Sequence, residues 1–251
     1  MKILRIIYFL LFAVTVLCSC SESASSKNVD SVPKDRIERI LDSLEMAMGG
    51  RAAYEKAQVI EWSFFGYRKL IWDKAGKQVW IEYQQGQPLQ IYYDIKEDTA
   101  AVYLDGKSVN DVDSLLMFKT RARRIWINDS YWLVMPFKLR DPGVNISYSG
   151  VSSIDSVIQE PCHILTVTFD DSVGVTPENK YEVFISLKDR LVKGWKYYNK
   201  VTDQEPSIYN PWRNYQNYRD VMFSDVRGFS AHEKLQNIKV YKKIEDVELP
   251  F

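Results

Sequence analysis

Between positions 35 and 48 the apolar residues Ile37, Ile40, Leu41, Leu44 and Met48 recur at helical spacing, with Asp35, Arg36, Glu38 and Arg39 between them. Gly49-Gly50 supplies the stop signal, so the pattern predicts an amphipathic helix with one face to bury. Residues 52–56 add at most one short turn before the period changes to two. Segments 59–68, 78–84, 89–94 and 99–104 then read as strands, with turns at 74–77 and Asp105-Gly106. A second block of strands covers 144–148, 163–169, 181–186 and 191–198, and segments 221–226 and 238–243 close the chain. Hairpins of sequence neighbours are the economical connection.

Between the two blocks, 112–138 breaks the alternation. Leu115, Leu116, Phe118, Trp126, Trp132 and Leu133 mix with Lys119, Arg121, Arg123 and Arg124, which predicts two short helices or a helix and a loop. Pro136 and Pro142 should limit helix on either side of Phe137-Lys138-Leu139-Arg140 and hold Trp132 and Phe137 against the sheet. The expected fold is α+β and mainly β, with ten or so short strands in one large antiparallel sheet. Strand twist curls such a sheet until it closes or packs against something, here the helices. Trp62 and Phe64 share a face, as do Val79, Ile81 and Tyr83, and Leu165, Val167 and Phe169. An aromatic content of 14% is enough to wall a cavity, although the same stripes serve equally as plain core. Trp62, Phe64, Trp80, Trp126, Trp132 and Phe137 are the candidate cavity lining. Lys138, Arg140 and Asp141 are candidates for its rim, there to meet a head group or simply to pair with each other.

The first residues change the picture of where the protein works. Lys2 and Arg5 precede an apolar run from Ile6 to Leu17 that is too short for a span of roughly 20 residues. Leu17-Cys18-Ser19-Cys20 resembles a bacterial lipobox, with a small residue directly before Cys20. That resemblance implies cleavage after residue 19, diacylglycerol on the Cys20 sulfur and a fatty acid such as palmitate on the new amino terminus, hence membrane attachment without a spanning helix. Residues 20–33, rich in Ser, Asp and Lys, suit a flexible tether, and 34–251 is expected to form a single domain. Removing 1–19 takes away two bases and no acid, which leaves 31 basic against 33 acidic residues and gives no case for nucleic acid.

Little in the chain points to catalysis, metal or cofactor. His163 and His232 are the only histidines and lack ligand spacing, and no nucleophile elbow, Walker loop or dinucleotide fingerprint is present. Asp111 with Asp113 and Asp170-Asp171 fall at expected turns. With Cys20 acylated, Cys162 remains as a small residue expected to be buried in a strand and unreactive. A Pro211 turn could expose Trp212, Tyr215 and Tyr218 as an aromatic platform for a glycan. Asp-Ser and Asp-Thr pairs at Ser31, Ser43, Thr99, Ser114, Ser156 and Ser172 resemble an O-glycan acceptor pattern.

The most distinctive internal run is Asn128 to Val144, centred on Trp132-Leu133-Val134-Met135-Pro136-Phe137-Lys138-Leu139 and ending in Asp141-Pro142-Gly143. It is similar to the central motif of a family of Gram-negative envelope lipoproteins related to the lipoprotein-localisation (LolA/LolB-like) superfamily. Gly49-Gly50-Arg51-Ala52-Ala53-Tyr54, Val173-Gly174-Val175-Thr176-Pro177, Tyr181 to Ile185 and Leu191-Val192 with Trp195 match in order. The resemblance implies an incomplete antiparallel barrel, helices over its mouth and an apolar cavity for acyl chains, in a non-enzymatic lipoprotein of the outer envelope. It transfers no ligand residues. A chain anchored at Cys20 cannot shuttle freely, so the expected role is local lipid or acylated-protein binding. A structural or interaction module with a self-filled core is the alternative, and the oligomeric state stays open.

Overall fold

The computed structural model describes residues 34–230 and 232–251; the leader, Cys20, the tether and Ser31 fall outside them. Helix α1 (Lys34–Ala47) buries Ile40, Leu41 and Leu44, with Met48 just beyond its end, as the helical spacing requires. The chain then reverses through Gly49 and Gly50, at φ +97° and +86°. A Cβ on Gly49 would lie 1.9 Å from the Asp220 carbonyl oxygen, an approach that lets Met222 N donate to Met48 O at 2.9 Å. Left-handed backbone and close contact act together there. Gly49→Ala is therefore expected to lower stability by about 2 kcal/mol or more, read as the urea unfolding midpoint. An unchanged midpoint would show that the approach is not made in solution.

After α2 (Arg51–Lys56) the chain runs as an antiparallel meander: β1 (Val59–Phe64), β2 (Arg68–Asp73), β3 (Gln78–Tyr83), β4 (Leu89–Asp94), β5 (Thr99–Leu104) and the short β6 (Lys107–Ser108). Strand β2 corrects the expectation of one strand over 59–68. The chain turns at Phe65 and Gly66, at φ 52° and 74°, and Tyr67 N donates to Phe64 O at 3.0 Å. A phenylalanine in left-handed backbone leaves no turn signal beyond one glycine.

Helix α3 (Val112–Lys138) follows, and then a second sheet of β7 (Val144–Val151), β8 (Cys162–Phe169), β9 (Lys180–Ser186), β10 (Val192–Tyr198) and β11 (Ile208–Pro211), ordered β11-β10-β9-β8-β7. A separate hairpin, β12 (Arg213–Tyr218) with β13 (Val221–Val226), precedes β14 (Gln236–Tyr241), which pairs with β1 at the far edge of the first sheet. The strands are thus antiparallel but divided into sheets of seven, five and two, not joined in one. The fold is mainly β, with curled sheets that form no closed barrel among the described residues and helices packed on them.

Helix α3 is one 27-residue helix, where two short helices or a helix and a loop were expected. Asp111 caps it by accepting from Ser114 N at 2.9 Å. Pro136 lies inside it and has no N–H to give to the Trp132 carbonyl. Arg227 supplies the missing donors: Nη2 and Nε reach Trp132 O at 2.6 and 3.1 Å. The same guanidinium donates to Ser224 O, Ser224 Oγ and Val226 O, and lies 3.7 Å over the Trp212 ring. Arg227 is fully buried and hydrogen-bonds no carboxylate among the described residues, so burial draws its guanidinium down to about 9, still charged at neutral pH.

The core lies between α1, α3 and the inner faces of the sheets. Trp62 is fully buried there, and Phe137 stacks on Tyr54 with centroids 4.2 Å apart. Trp80 is a correction. It sits on the other face of the first sheet with Val59 and Ile71, under Ile244, Val247 and Leu249 of the chain's end. Alternation puts it opposite Val79 and Ile81, which face the main core. No helix among the described residues is long and apolar enough to cross a membrane.

Candidate functional site: a cleft under the long helix

A cleft of about 720 Å³ opens where the middle of α3 passes over the second sheet. Tyr131 and Trp132 of α3 meet Phe169 of β8, Tyr181 of β9 and Trp195 of β10 along its wall. These rings pack against one another: Trp195 meets Trp132 edge-on at 4.9 Å and Tyr131 nearly parallel at 5.9 Å, and Phe169 stands at 90° to Tyr181. On the side of the first sheet, Trp126 meets Trp72 at 6.0 Å. Behind the wall Trp195 contacts Trp212, on which Arg227 is stacked. The guanidinium that completes the proline-interrupted helix thus also braces the aromatic wall.

The rim is built from segments that stood out in the sequence. Gly143, at φ +78°, comes so close to Val173 that an added Cβ would lie 2.4 Å from its Cγ2, and Asp170 N donates to Gly143 O at 2.9 Å. The Asp-Pro-Gly turn and the Val173–Pro177 loop are therefore packed together at the edge of the cleft. Arg51 donates to Phe137 O at 2.8 Å while Tyr54 covers the Phe137 ring, so the segment after Gly49-Gly50 secures the end of α3.

Six charged side chains line the cleft: Arg68, Arg123, Arg124, Asp129, Lys138 and Asp141. Arg68 forks onto Asp129 at 2.6 and 2.9 Å, with the Asp129 carboxylate fully buried and Asn128 donating to it as well. Burial pushes the Asp129 carboxyl up from its ordinary value against the pull of Arg68. Lys138 and Asp141 form a half-exposed ion pair at 3.0 Å. Two indole N–H groups of the lining, Trp126 Nε1 and Trp195 Nε1, are buried without a hydrogen-bond partner among the described residues.

Of the expected lining residues, Trp126 and Trp132 face the cleft. Phe64 stands one ring back, edge-on to Trp132 at 6.2 Å, while Trp62 and Phe137 are core and Trp80 lies on the opposite sheet face. Lys138 and Asp141 are among the residues that line the cleft. Arg140 is not: it bonds Glu38 at 3.0 Å and Asp42 at 2.6 Å and fastens α1 to the end of α3. The glycan platform is corrected too. Trp212 is 1% exposed and the Tyr215 hydroxyl donates to Val192 O at 2.9 Å, while Tyr215 and Tyr218 are half-buried, so the three rings do not form one exposed platform. Cys162 is buried in β8, where burial raises its thiol to about 12 and keeps it unreactive. His163 is half-buried with Nδ1 3.3 Å from the Tyr148 hydroxyl.

Arg68, Asp129, Tyr131, Tyr181 and Trp195 line the cleft without being expected there from the sequence. For Asp129 the signal was a charged residue within a run of apolar helix, which needs a partner, and Tyr131, Tyr181 and Trp195 lie in the segments that carried the resemblance.

No family model matches the chain, and no curated protein does. Solved structures similar to it include a LolA superfamily protein from Nitrosomonas europaea, 10% identical, with a TM-score of 0.37 over 78% of this chain and 95% of that one. A second, from Vibrio parahaemolyticus and described as an outer membrane lipoprotein-sorting protein domain, is 8% identical, with a TM-score of 0.30 over 69% of this chain and 68% of that one.

Proposed function

We propose that this chain is a non-enzymatic lipoprotein of the outer envelope, anchored through acylated Cys20, whose cleft under α3 holds a lipid or acyl chain. One observation carries the reading. An aromatic wall built by α3 and the second sheet leaves about 720 Å³ unfilled, inside the roughly 300–1,000 Å³ usual for small-ligand sites. Each methylene that enters such a space gains roughly 0.8 kcal/mol. The partners are then the membrane that holds the anchor and a lipid or acylated protein nearby.

A fatty acid brominated along its chain tests this, because bromine quenches indole emission only at contact range. Trp72, Trp126, Trp132 and Trp195 line the cleft, so quenching should saturate with added ligand. Thr176→Trp, which fills the cleft at its edge, should weaken binding about tenfold. Absence of quenching would favour the second reading, an interaction module. That reading is supported by the interior packing of Trp62 and Phe137, which closes the rest of the concave face.

A further inference from the structure

The charges around the cleft do not cancel. Asp129 is consumed by the fork of Arg68, and Asp141 pairs with Lys138. Arg123 and Arg124, both exposed and both lining the cleft, remain. Arg123 acts on Asp98 at long range, but Asp98 is already held by Lys119 at 2.7 Å and by the Tyr93 hydroxyl at 2.9 Å. Arg124 has no ion pair and no hydrogen bond among the described residues. Two guanidinium groups thus sit without an acid at the edge of an aromatic cleft. Trp126, three and two positions further along the same helix, brings a buried indole N–H with no acceptor. Every unfilled polar group here is a donor or a cation. A neutral chain would offer the two guanidinium groups no charged acceptor, whereas an anionic head group would.

We propose that the cleft selects amphiphiles with an anionic head group, carboxylate or phosphate, held at Arg123 and Arg124 while the chain lies along Tyr131, Trp132 and Trp195. This rests on the lipid-binding reading above and adds the head-group class to it. Planar guanidinium forks match both oxyanions, so the shared chemistry is the anion.

The test titrates the purified full chain, followed by tryptophan emission, with four probes: palmitate, hexadecyl phosphate, hexadecanol and inorganic phosphate. Palmitate, hexadecyl phosphate or both should bind about tenfold or more tightly than hexadecanol, as charge-assisted hydrogen bonds imply. The doubly substituted Arg123→Gln/Arg124→Gln chain should lose that preference and keep its affinity for hexadecanol, which also shows that it is folded. Which of the two charged probes binds better separates a fatty acid from a phosphorylated lipid. Equal binding of the charged and neutral chains would overturn the head-group inference and leave lipid binding standing. Failure of all three chains would overturn lipid binding itself. Binding of inorganic phosphate as tight as that of hexadecyl phosphate would also overturn the proposal, since the chain would then contribute nothing.

Discussion

Arg68→Met should destabilise the protein by about 3–5 kcal/mol at neutral pH, because it leaves the Asp129 carboxylate buried without its cation. Arg68 also lies 4.9 Å over the Phe64 ring, so some packing goes with the charge. The loss should depend on pH with a definite sign. Burial raises the folded-state carboxyl of Asp129 above its ordinary value, so the native state holds the proton more tightly than the unfolded chain. Stability contributed by this group then falls as pH rises from the ordinary carboxylate value through the folded one. Without Arg68 that window widens, and the deficit of the variant should be small below about pH 4 and full near neutrality. Urea unfolding of both proteins across pH 4–8 reads this directly. The pair Arg68→Met/Asp129→Leu should recover most of the loss, as apolar replacement of a buried ion pair usually does. A deficit independent of pH would show that Asp129 is not the group left exposed to the penalty.

Arg227→Met should lower stability by about 3 kcal/mol, since the Trp132 carbonyl then has neither a helical N–H nor the guanidinium. The decisive comparison is a cycle with Pro136→Ala. Alanine at 136 restores the N–H that belongs to the Trp132 carbonyl, so it should help more in the absence of Arg227 than in its presence. A coupling of about 1–2 kcal/mol is expected. No coupling would mean that Arg227 acts only through its stack on Trp212. Arg227→Lys, which keeps a charge but loses the fork, should fall between the native protein and Arg227→Met.

These two sites show where the sequence was legible and where it was not. Periodicity located α1 and most of the strands, though not β2, β11 or β12, because burial of one face imposes a spacing that one-dimensional reading can see. It did not show that α3 runs unbroken through Pro136, because the compensating donor comes from Arg227, 91 positions later, in a stretch whose local pattern says nothing. The same holds for Phe65, whose left-handed turn is fixed by the pairing of β1 with β2 and not by its own preference. Aromatic stripes identified rings that would be buried, but parity alone separates Trp80 from the inner face, and only the three-dimensional layout separates the core rings Trp62 and Phe137 from the cleft rings Trp126 and Trp132. The segments that carried the family resemblance nevertheless converge. Tyr54 covers Phe137, Gly143 abuts Val173, and Tyr181 and Trp195 face Tyr131.

If an acyl chain occupies the cleft, photo-crosslinking of the full chain in living cells fed a fatty acid bearing a diazirine and an alkyne should capture it there. Light-independent label at Cys20 would report acylation of the anchor, and light-dependent label would report contacts of a bound chain. Light-dependent adducts are expected on peptides containing Tyr131, Trp132 and Trp195. Adducts confined to exposed surface residues, or none at all, would contradict occupancy of the cleft.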